Sequence, residues 1–97
     1  ESTPLTKVNG VKHFGAKVIL HGLNYDEAYL FALEYGKKES LTFVHPFEDE
    51  DVIAGQGTLA LDILDNAKDI DAVIVPVGGG GLISGMASVF KNINPAI

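Results

Sequence analysis

The chain has 97 residues, enough for one small domain or a piece of a larger one, and its apolar fraction of 46% argues against disorder. A net charge of −6 with no basic stripe argues against a nucleic-acid-binding surface. The absence of cysteine excludes disulfides and thiolate zinc sites. It also fits the cytoplasmic location that we expect, since the sequence has neither a signal peptide nor a membrane-length apolar run.

The first half of the chain is predicted to contain two helices and two strands. A first helix is predicted to begin with Thr3 as N-cap and Pro4 at its first position, and to run to Gly15. The remaining elements of this half are a strand at 17–20, a helix from Asn24 to a stop at Gly36, and a strand at 41–44. Asn24 and Glu27 have the spacing of a capping box.

The second half is predicted to contain helix, strand and helix. The first of these helices spans about 52–67 with Asp51 as N-cap, although Gly55 and Gly57 weaken its first turns. A strand at 72–77, apolar throughout, and a helix at 82–92 complete the chain. The order α-β-α-β-α-β-α predicts an α/β fold with parallel strands and right-handed crossovers.

Four consecutive glycines lie between the third predicted strand and the last predicted helix. In α/β proteins ligands bind at the carboxyl ends of the strands, and a helix N-terminus attracts anions, so the sequence predicts a phosphate site here. A P-loop is excluded because Leu82 and Ile83 stand where Lys and Ser or Thr are needed. A dinucleotide fingerprint nearly fits, but its last position is Ser84. A monophosphate cofactor remains, and so does a turn that only lets the helix pack closely.

Several segments of the chain resemble one enzyme family. The segment VPVGGGGLISG at 75–85 resembles the tetraglycine loop of fold-type II pyridoxal-phosphate enzymes. The segments VHPF at 44–47 and DVIAGQGT at 51–58 resemble the threonine dehydratase and serine racemase branch of that family. The segment GAKVILHG at 15–22 is most similar to bacterial catabolic threonine dehydratases, and the similarity covers all 97 residues.

The resemblance implies a part of a two-lobed enzyme that removes water from threonine or serine to give a 2-oxo acid and ammonia. It implies pyridoxal 5'-phosphate as cofactor, with its phosphate bound by Gly78, Gly79, Gly80, Gly81 and the Leu82 amide. Residues 1–46 would belong to the small mobile domain, and residues 47–97 would begin the second segment of the large cofactor-binding domain. The expected partner is an amino-acid substrate, with no nucleic acid and no membrane.

Other polar residues near these motifs have two interpretations each. Gln56 and Thr58 either act in the active site or orient the helix through hydrogen bonds. His45 is expected to anchor the crossover between the two lobes rather than to act as a base. His13 and His21 lack partners at ligand spacing, so no metal site is expected.

The family's Schiff-base lysine has no counterpart in this sequence. It lies in a Ser-x-Lys-x-Arg-Gly type of segment, and none of the lysines here has that context. The chain also begins at Glu1 without a methionine and stops in an apolar stretch at 94–97. We therefore expect an internal fragment that carries no catalytic residue of the family and is inactive as a separate chain. Because its two halves would come from different lobes, we expect exposed apolar surface and self-association into a homo-oligomer.

Two alternatives to the dehydratase remain from the sequence. A segment of a serine racemase-type enzyme shares the same motifs. A free-standing phosphate- or nucleotide-binding regulatory module would need only the glycine loop, and it would gain support if the reading frame ended at both termini.

Overall fold

A computed structural model describes residues 3–97, which fold into four α-helices. The helices are α1 (Leu5–His13), α2 (Tyr25–Lys38), α3 (Glu50–Asn66) and α4 (Gly81–Ile93). The chain divides into two compact units, Glu1–Phe43 and Val44–Ile97. The first unit holds α1 and α2, and the second holds α3 and α4. No helix in the described part of the chain has the length and apolar character needed to cross a membrane.

The strands predicted at 17–20, 41–44 and 72–77 are not present as strands. Among residues 3–97 no β-strand is formed, and these three segments join no hydrogen-bonded ladder. Several large apolar side chains along them are exposed, with Ile74 99% and Val44 63% accessible. The apolar runs indicate segments that are suited to burial in a sheet, but a strand also needs a neighbouring backbone to pair with. The α-β layering predicted from the sequence is therefore not observed in this chain.

Helix α1 confirms the first predicted helix, but its start differs from the prediction. Pro4 is the N-cap and Thr3 lies outside the helix, so no side chain caps this end. The carbonyl of Pro4 accepts hydrogen bonds from the N–H groups of Lys7 and Val8 at 3.0 and 3.3 Å. Proline cannot donate a backbone hydrogen bond, so it is well suited to a position that precedes the helical ladder.

Helix α2 begins at the predicted capping box. Asn24 Oδ1 accepts from the Glu27 N–H at 2.9 Å, and Glu27 Oε2 accepts from the Leu23 N–H at 2.9 Å. The first bond satisfies a donor that the first turn leaves free, and the second ties Leu23, the residue before the N-cap, to the helix instead of the Asn24 N–H of a standard capping box. In the same unit Lys17 Nζ donates to the Tyr35 hydroxyl at 3.0 Å, which raises the pKa of Lys17 above its ordinary value.

The end predicted for α2 at Gly36 is wrong. Gly36 is buried inside the helix, which continues to Lys38. The terminal residue in the left-handed region is Ser40, with φ +55°. The Leu41 N–H donates to the Gly36 carbonyl at 2.8 Å and the Ser40 N–H to the Lys37 carbonyl at 3.3 Å. This pair of bonds is a Schellman motif, in which a serine takes the position that glycine usually fills.

The N-cap of α3 is Asp49 and not Asp51 as predicted. Asp49 Oδ1 accepts from the N–H groups of Asp51 and Val52 at 2.9 and 3.2 Å. In an acidic run each carboxylate is a candidate cap, and the residue that precedes the first helical turn is the one in position to accept these bonds. The helix therefore begins two residues before the predicted start, at Glu50.

Helices α3 and α4 pack against each other and form the core of the second unit. The buried side chains are Ala60, Met86 and Phe90, and Val73 and Val75 pack beside them. Where the helices cross, the glycines Gly57 and Gly85 face each other. A Cβ built on Gly85 would lie 2.6 Å from the Gly57 backbone nitrogen, so the crossing depends on the absence of a side chain at Gly85.

Candidate functional site

The predicted glycine loop leads directly into α4 and borders a cavity. Gly80 is the N-cap, with φ +92° in the left-handed region, and the helix begins at Gly81. The cavity has a volume of about 260 Å³. It is lined by the predicted site residues Gly78, Gly79, Gly80, Gly81 and Leu82, and also by Pro46, Phe47, Gln56 and Pro76. All of these residues belong to the second unit.

The start of α4 offers backbone donors to this cavity. The first hydrogen bond to the N-cap runs from the Ser84 N–H to the Gly80 carbonyl at 2.9 Å. The N–H groups that precede Ser84 in the first turn have no carbonyl one helical turn back, and Gly80 has no side chain to cap them. The positive end of the helix dipole lies at the same place, with no acidic residue in the first turn. This end of the cavity is therefore suited to an anion.

The four glycines have two different surroundings. Side chains at Gly79 and Gly81 would meet Phe47: a Cβ on Gly79 would overlap its ring, and a Cβ on Gly81 would lie 3.0 Å from its Cα, Cβ and carbonyl oxygen. A Cβ on Gly78 or Gly80 would meet nothing within 4 Å. Close packing, which the sequence left open as an explanation for the loop, thus accounts for Gly79 and Gly81. Gly78 and Gly80 border open space.

His45 fixes the segment that carries Phe47. Its Nδ1 accepts from the Phe47 N–H at 3.3 Å and from the Glu48 N–H at 2.9 Å. An Nδ1 that accepts places the proton of the neutral ring on Nε2, which lies 3.5 Å from Glu48 Oε2. The two rings of His45 and Phe47 also meet edge to face, with centroids 4.7 Å apart. Both ring nitrogens of His45 thus hold a turn of the second unit, whereas the predicted anchoring between lobes stays a prediction.

Gln56 and Thr58 have different environments. Gln56 lines the cavity and is the one lining residue whose side chain carries hydrogen-bonding groups. Thr58 is not among the lining residues, and its Oγ1 donates to the Gly55 carbonyl at 2.7 Å, which is the helix-orienting interpretation. Of the two glycines that weaken the first turns of this helix, Gly57 packs on α4, and a Cβ on Gly55 would meet nothing within 4 Å.

Among the described residues that line this cavity, none has an ionisable side chain. What these residues offer an anion is therefore backbone dipoles. In the described ranges no three His, Asp or Glu side chains lie close enough together to hold a metal ion. The residue that sequence reasoning missed is Phe47: the His-Pro-Phe segment was singled out for its resemblance, but nothing in a linear sequence shows that its ring faces the glycine loop.

Comparison with known proteins places these features in one family. The family model "Pyridoxal-phosphate dependent enzyme" matches residues 1–97. The chain belongs to this family. It is 50% identical over 97 residues to the L-threonine dehydratase catabolic TdcB of Staphylococcus aureus strain N315, covering all of this chain and 28% of that protein. The family identified from the sequence motifs is thereby confirmed.

Solved structures show that the same fold occurs in related enzymes. The processed form of threonine deaminase isoform 2 from Solanum lycopersicum matches with a TM-score of 0.86 and 47% identity, over 98% of this chain and 26% of that one. Maize serine racemase matches with a TM-score of 0.88 and 36% identity, over 95% of this chain and 29% of that one. The chain thus has the fold of the corresponding part of these enzymes, and it spans less than a third of the length of each protein.

Proposed function

We propose that the chain is a segment of a pyridoxal-phosphate-dependent threonine or serine dehydratase, and that its glycine loop holds the cofactor phosphate. The observation that carries the proposal is the cavity at the start of α4, lined by Gly78, Gly79, Gly80, Gly81 and Leu82. A helix N-terminus with free N–H groups fits a phosphate monoester, and the open space beside Gly78 and Gly80 leaves room for its oxygens. The 50% identity to a catabolic threonine dehydratase supports the substrate class.

When bound, the cofactor would supply the electron sink that allows water to leave a hydroxy amino acid, and the released enamine is hydrolysed by water to a 2-oxo acid and ammonia. The residues of this chain bind and orient. Backbone donors of the loop fix one end of the cofactor, and Gln56 offers an amide that can donate or accept a hydrogen bond at the cavity wall. Because no lining side chain is ionisable, we assign proton transfer to residues of the whole enzyme outside this chain.

The same proposal covers the domains and the sheet. We assign residues 1–46 to the small mobile domain and 47–97 to the large cofactor-binding domain. We assign the apolar segments at 17–20, 41–44 and 72–77 to parallel strands of α/β layers that further strands of the whole protein complete. The exposure of Ile74 and Val44 supports this, because large apolar side chains of native strands are normally covered. For the whole protein we propose a cytoplasmic homo-oligomer.

A serine racemase-type activity is the second candidate. Its support is the fold match to maize serine racemase at 36% identity. Incubation of the full-length natural protein with L-serine distinguishes the two candidates. A dehydratase releases pyruvate and ammonia in equal amounts, whereas a racemase accumulates D-serine, which chiral chromatography detects.

The dehydratase proposal is tested on the full-length natural protein and on the 97-residue chain side by side. The full-length protein is expected to bind pyridoxal phosphate and to convert threonine to 2-oxobutanoate and ammonia. The 97-residue chain is expected to form no stable covalent adduct with the cofactor and to turn over no threonine, because the Schiff-base lysine is missing. Turnover by the 97-residue chain, or a full-length protein without affinity for the cofactor, would contradict the proposal.

A further inference from the structure

Phe47 lies against the glycine loop, at the positions that side chains on Gly79 and Gly81 would occupy. We infer that Phe47 is a positioning residue that sets the shape of the loop at 78–81, and that His45 holds Phe47 in place for this purpose. The part of the inference that concerns the cofactor phosphate rests on the proposed function. The part that concerns the shape of the loop rests on the packing alone.

Phe47 contacts the loop at alternate glycines. Its ring occupies the position that a Cβ of Gly79 would take, and its backbone lies 3.0 Å from the position of a Cβ on Gly81. With Gly79 and Gly81 held against Phe47, Gly78 and Gly80 are left with open space, where a Cβ would meet no atom within 4 Å. Phe47 thereby determines which side of the loop is free.

The backbone around Phe47 is itself fixed. His45 Nδ1 accepts from the N–H groups of both Phe47 and Glu48, so that one imidazole nitrogen closes the turn around the phenylalanine. The edge-to-face contact between the two rings, at 4.7 Å between centroids, adds a restraint on the Phe47 side chain. A half-buried aromatic ring with a fixed backbone is a rigid support for a stretch of glycines, which has no side chains to restrain it.

This support matters for a phosphate because a chain of four glycines is otherwise mobile. Backbone N–H groups bind an anion well only when they are already oriented toward it, since ordering the loop upon binding reduces the affinity. Phe47 also lines the cavity, so its removal would both free the loop and enlarge the cavity. The expected consequence is weaker binding of the phosphate group, without loss of any group that contacts it through a hydrogen bond.

A double-mutant cycle in the full-length natural protein tests the contact through thermal unfolding without cofactor. Gly79→Ala is expected to lower the Tm by several degrees, because its new Cβ overlaps the Phe47 ring. In a Phe47→Ala background the same substitution is expected to have almost no effect, because the ring atoms are gone. Equal effects of Gly79→Ala in both backgrounds would overturn the inference.

Gly81→Ala is the matched control for this cycle. The atoms that its Cβ would approach, Phe47 Cα, Cβ and carbonyl oxygen, are all retained in Phe47→Ala. Its effect on the Tm is therefore expected to persist in both backgrounds. Gly78→Ala, with open space at its Cβ, reports the baseline effect of an added methyl group on stability.

The effect on the cofactor is measured as the dissociation constant of pyridoxal phosphate, by titration of the cofactor-free protein. Phe47→Ala is expected to raise this constant about tenfold, which corresponds to the loss of about one charge-assisted hydrogen bond. Phe47→Tyr, which retains the ring atoms that face Gly79, is expected to keep the original value. A tight cofactor complex in Phe47→Ala, combined with the coupling to Gly79, would overturn the positioning role and leave only packing.

The two proposals fail in different ways. If the wild-type protein does not bind pyridoxal phosphate but Gly79 and Phe47 remain coupled in the Tm measurement, the proposed function is wrong and the loop-shaping role of Phe47 stands. If the wild-type protein binds the cofactor but the two residues are not coupled, the inference is wrong and the proposed function stands.

Discussion

The crossing of α3 and α4 at two glycines yields a quantitative prediction for Gly85→Ala. A Cβ on Gly85 would lie 2.6 Å from the Gly57 backbone nitrogen and 3.1 Å from the Gln56 carbonyl carbon, and it would also meet the Ile53 carbonyl oxygen. All three contacts are backbone atoms of α3, so no side-chain rotation can relieve them. The two helices would have to move apart, and this would loosen the core formed by Met86 and Phe90.

Two opposing terms determine the magnitude. Alanine is a better helix former than glycine by about 1 kcal/mol, which favours the variant. Inserting a methyl group into a close-packed contact costs about 1–3 kcal/mol, and contacts below 3.0 Å with backbone place Gly85 at or above the upper end. We therefore expect Gly85→Ala to lower the free energy of unfolding by about 2 kcal/mol.

Two glycines of the facing helix, α3, provide matched controls for Gly85 of α4. A Cβ on Gly57 would lie 3.1 Å from the Gly85 carbonyl oxygen and 3.1 Å from a Val89 methyl group, which can move, so Gly57→Ala should stay within about 1 kcal/mol of the wild type. Gly55 is exposed, and a Cβ there would meet nothing within 4 Å. Gly55→Ala should therefore raise the free energy of unfolding by about 0.5–1 kcal/mol through helix propensity alone.

Urea unfolding followed by far-UV circular dichroism measures all three variants, with the free energy taken from linear extrapolation at a common m-value. The free energy of unfolding is expected to be higher for Gly55→Ala than for the wild type and lowest for Gly85→Ala. A Gly85→Ala variant as stable as the wild type, or one stabilised like Gly55→Ala, would show that the two helices are not in backbone contact at this crossing.

Three further predictions concern the end of α2 and the cavity. Ser40→Gly should raise the free energy of unfolding by about 1 kcal/mol in urea unfolding, because Ser40 adopts a left-handed backbone at φ +55°; no gain would contradict the Schellman assignment. Gln56→Glu should weaken pyridoxal-phosphate binding about fivefold or more in titrations at low salt, because it adds a carboxylate to the cavity wall. Gln56→Leu is the uncharged control. Gly78→Ala should leave the Tm unchanged yet weaken pyridoxal-phosphate binding. A variant with a lower Tm as well as weaker binding, or one with both values unchanged, would refute our assignment of Gly78 to the ligand side.

Local signals in the sequence predicted the helices well. The N-terminus of α2 was predicted correctly because its capping box lies within four residues, Asn24 to Glu27, and depends on nothing distant. The end of the same helix was missed because Ser40, and not the glycine at 36, takes the left-handed position. Glycine has a strong average preference for that position, but here the helix continues through Gly36, which is buried.

Features that depend on distant partners could not be predicted in the same way. The apolar run at 72–77 indicates burial, yet whether it becomes a strand depends on a second backbone that a local pattern does not contain. From the sequence, Gly57 only lowers the propensity of the predicted helix, whereas in the structure Gly85 of α4 lies against it. The position of the glycine loop before α4 was predictable, because strand-like, glycine-rich and helical segments follow one another directly. Its contact with Phe47 was not.

The four adjacent glycines have different surroundings, and we propose that only Gly78 is required by a ligand. Phe47 excludes side chains at Gly79 and Gly81 from within the chain. Gly80 needs its left-handed φ of +92° to begin α4. Gly78 has neither constraint: its φ is not positive, and a Cβ would have open space. Neither packing nor backbone geometry requires a glycine at position 78. We therefore expect that a bound group is what excludes a side chain there. Gly78 is therefore the residue of the loop whose substitution separates ligand binding from folding.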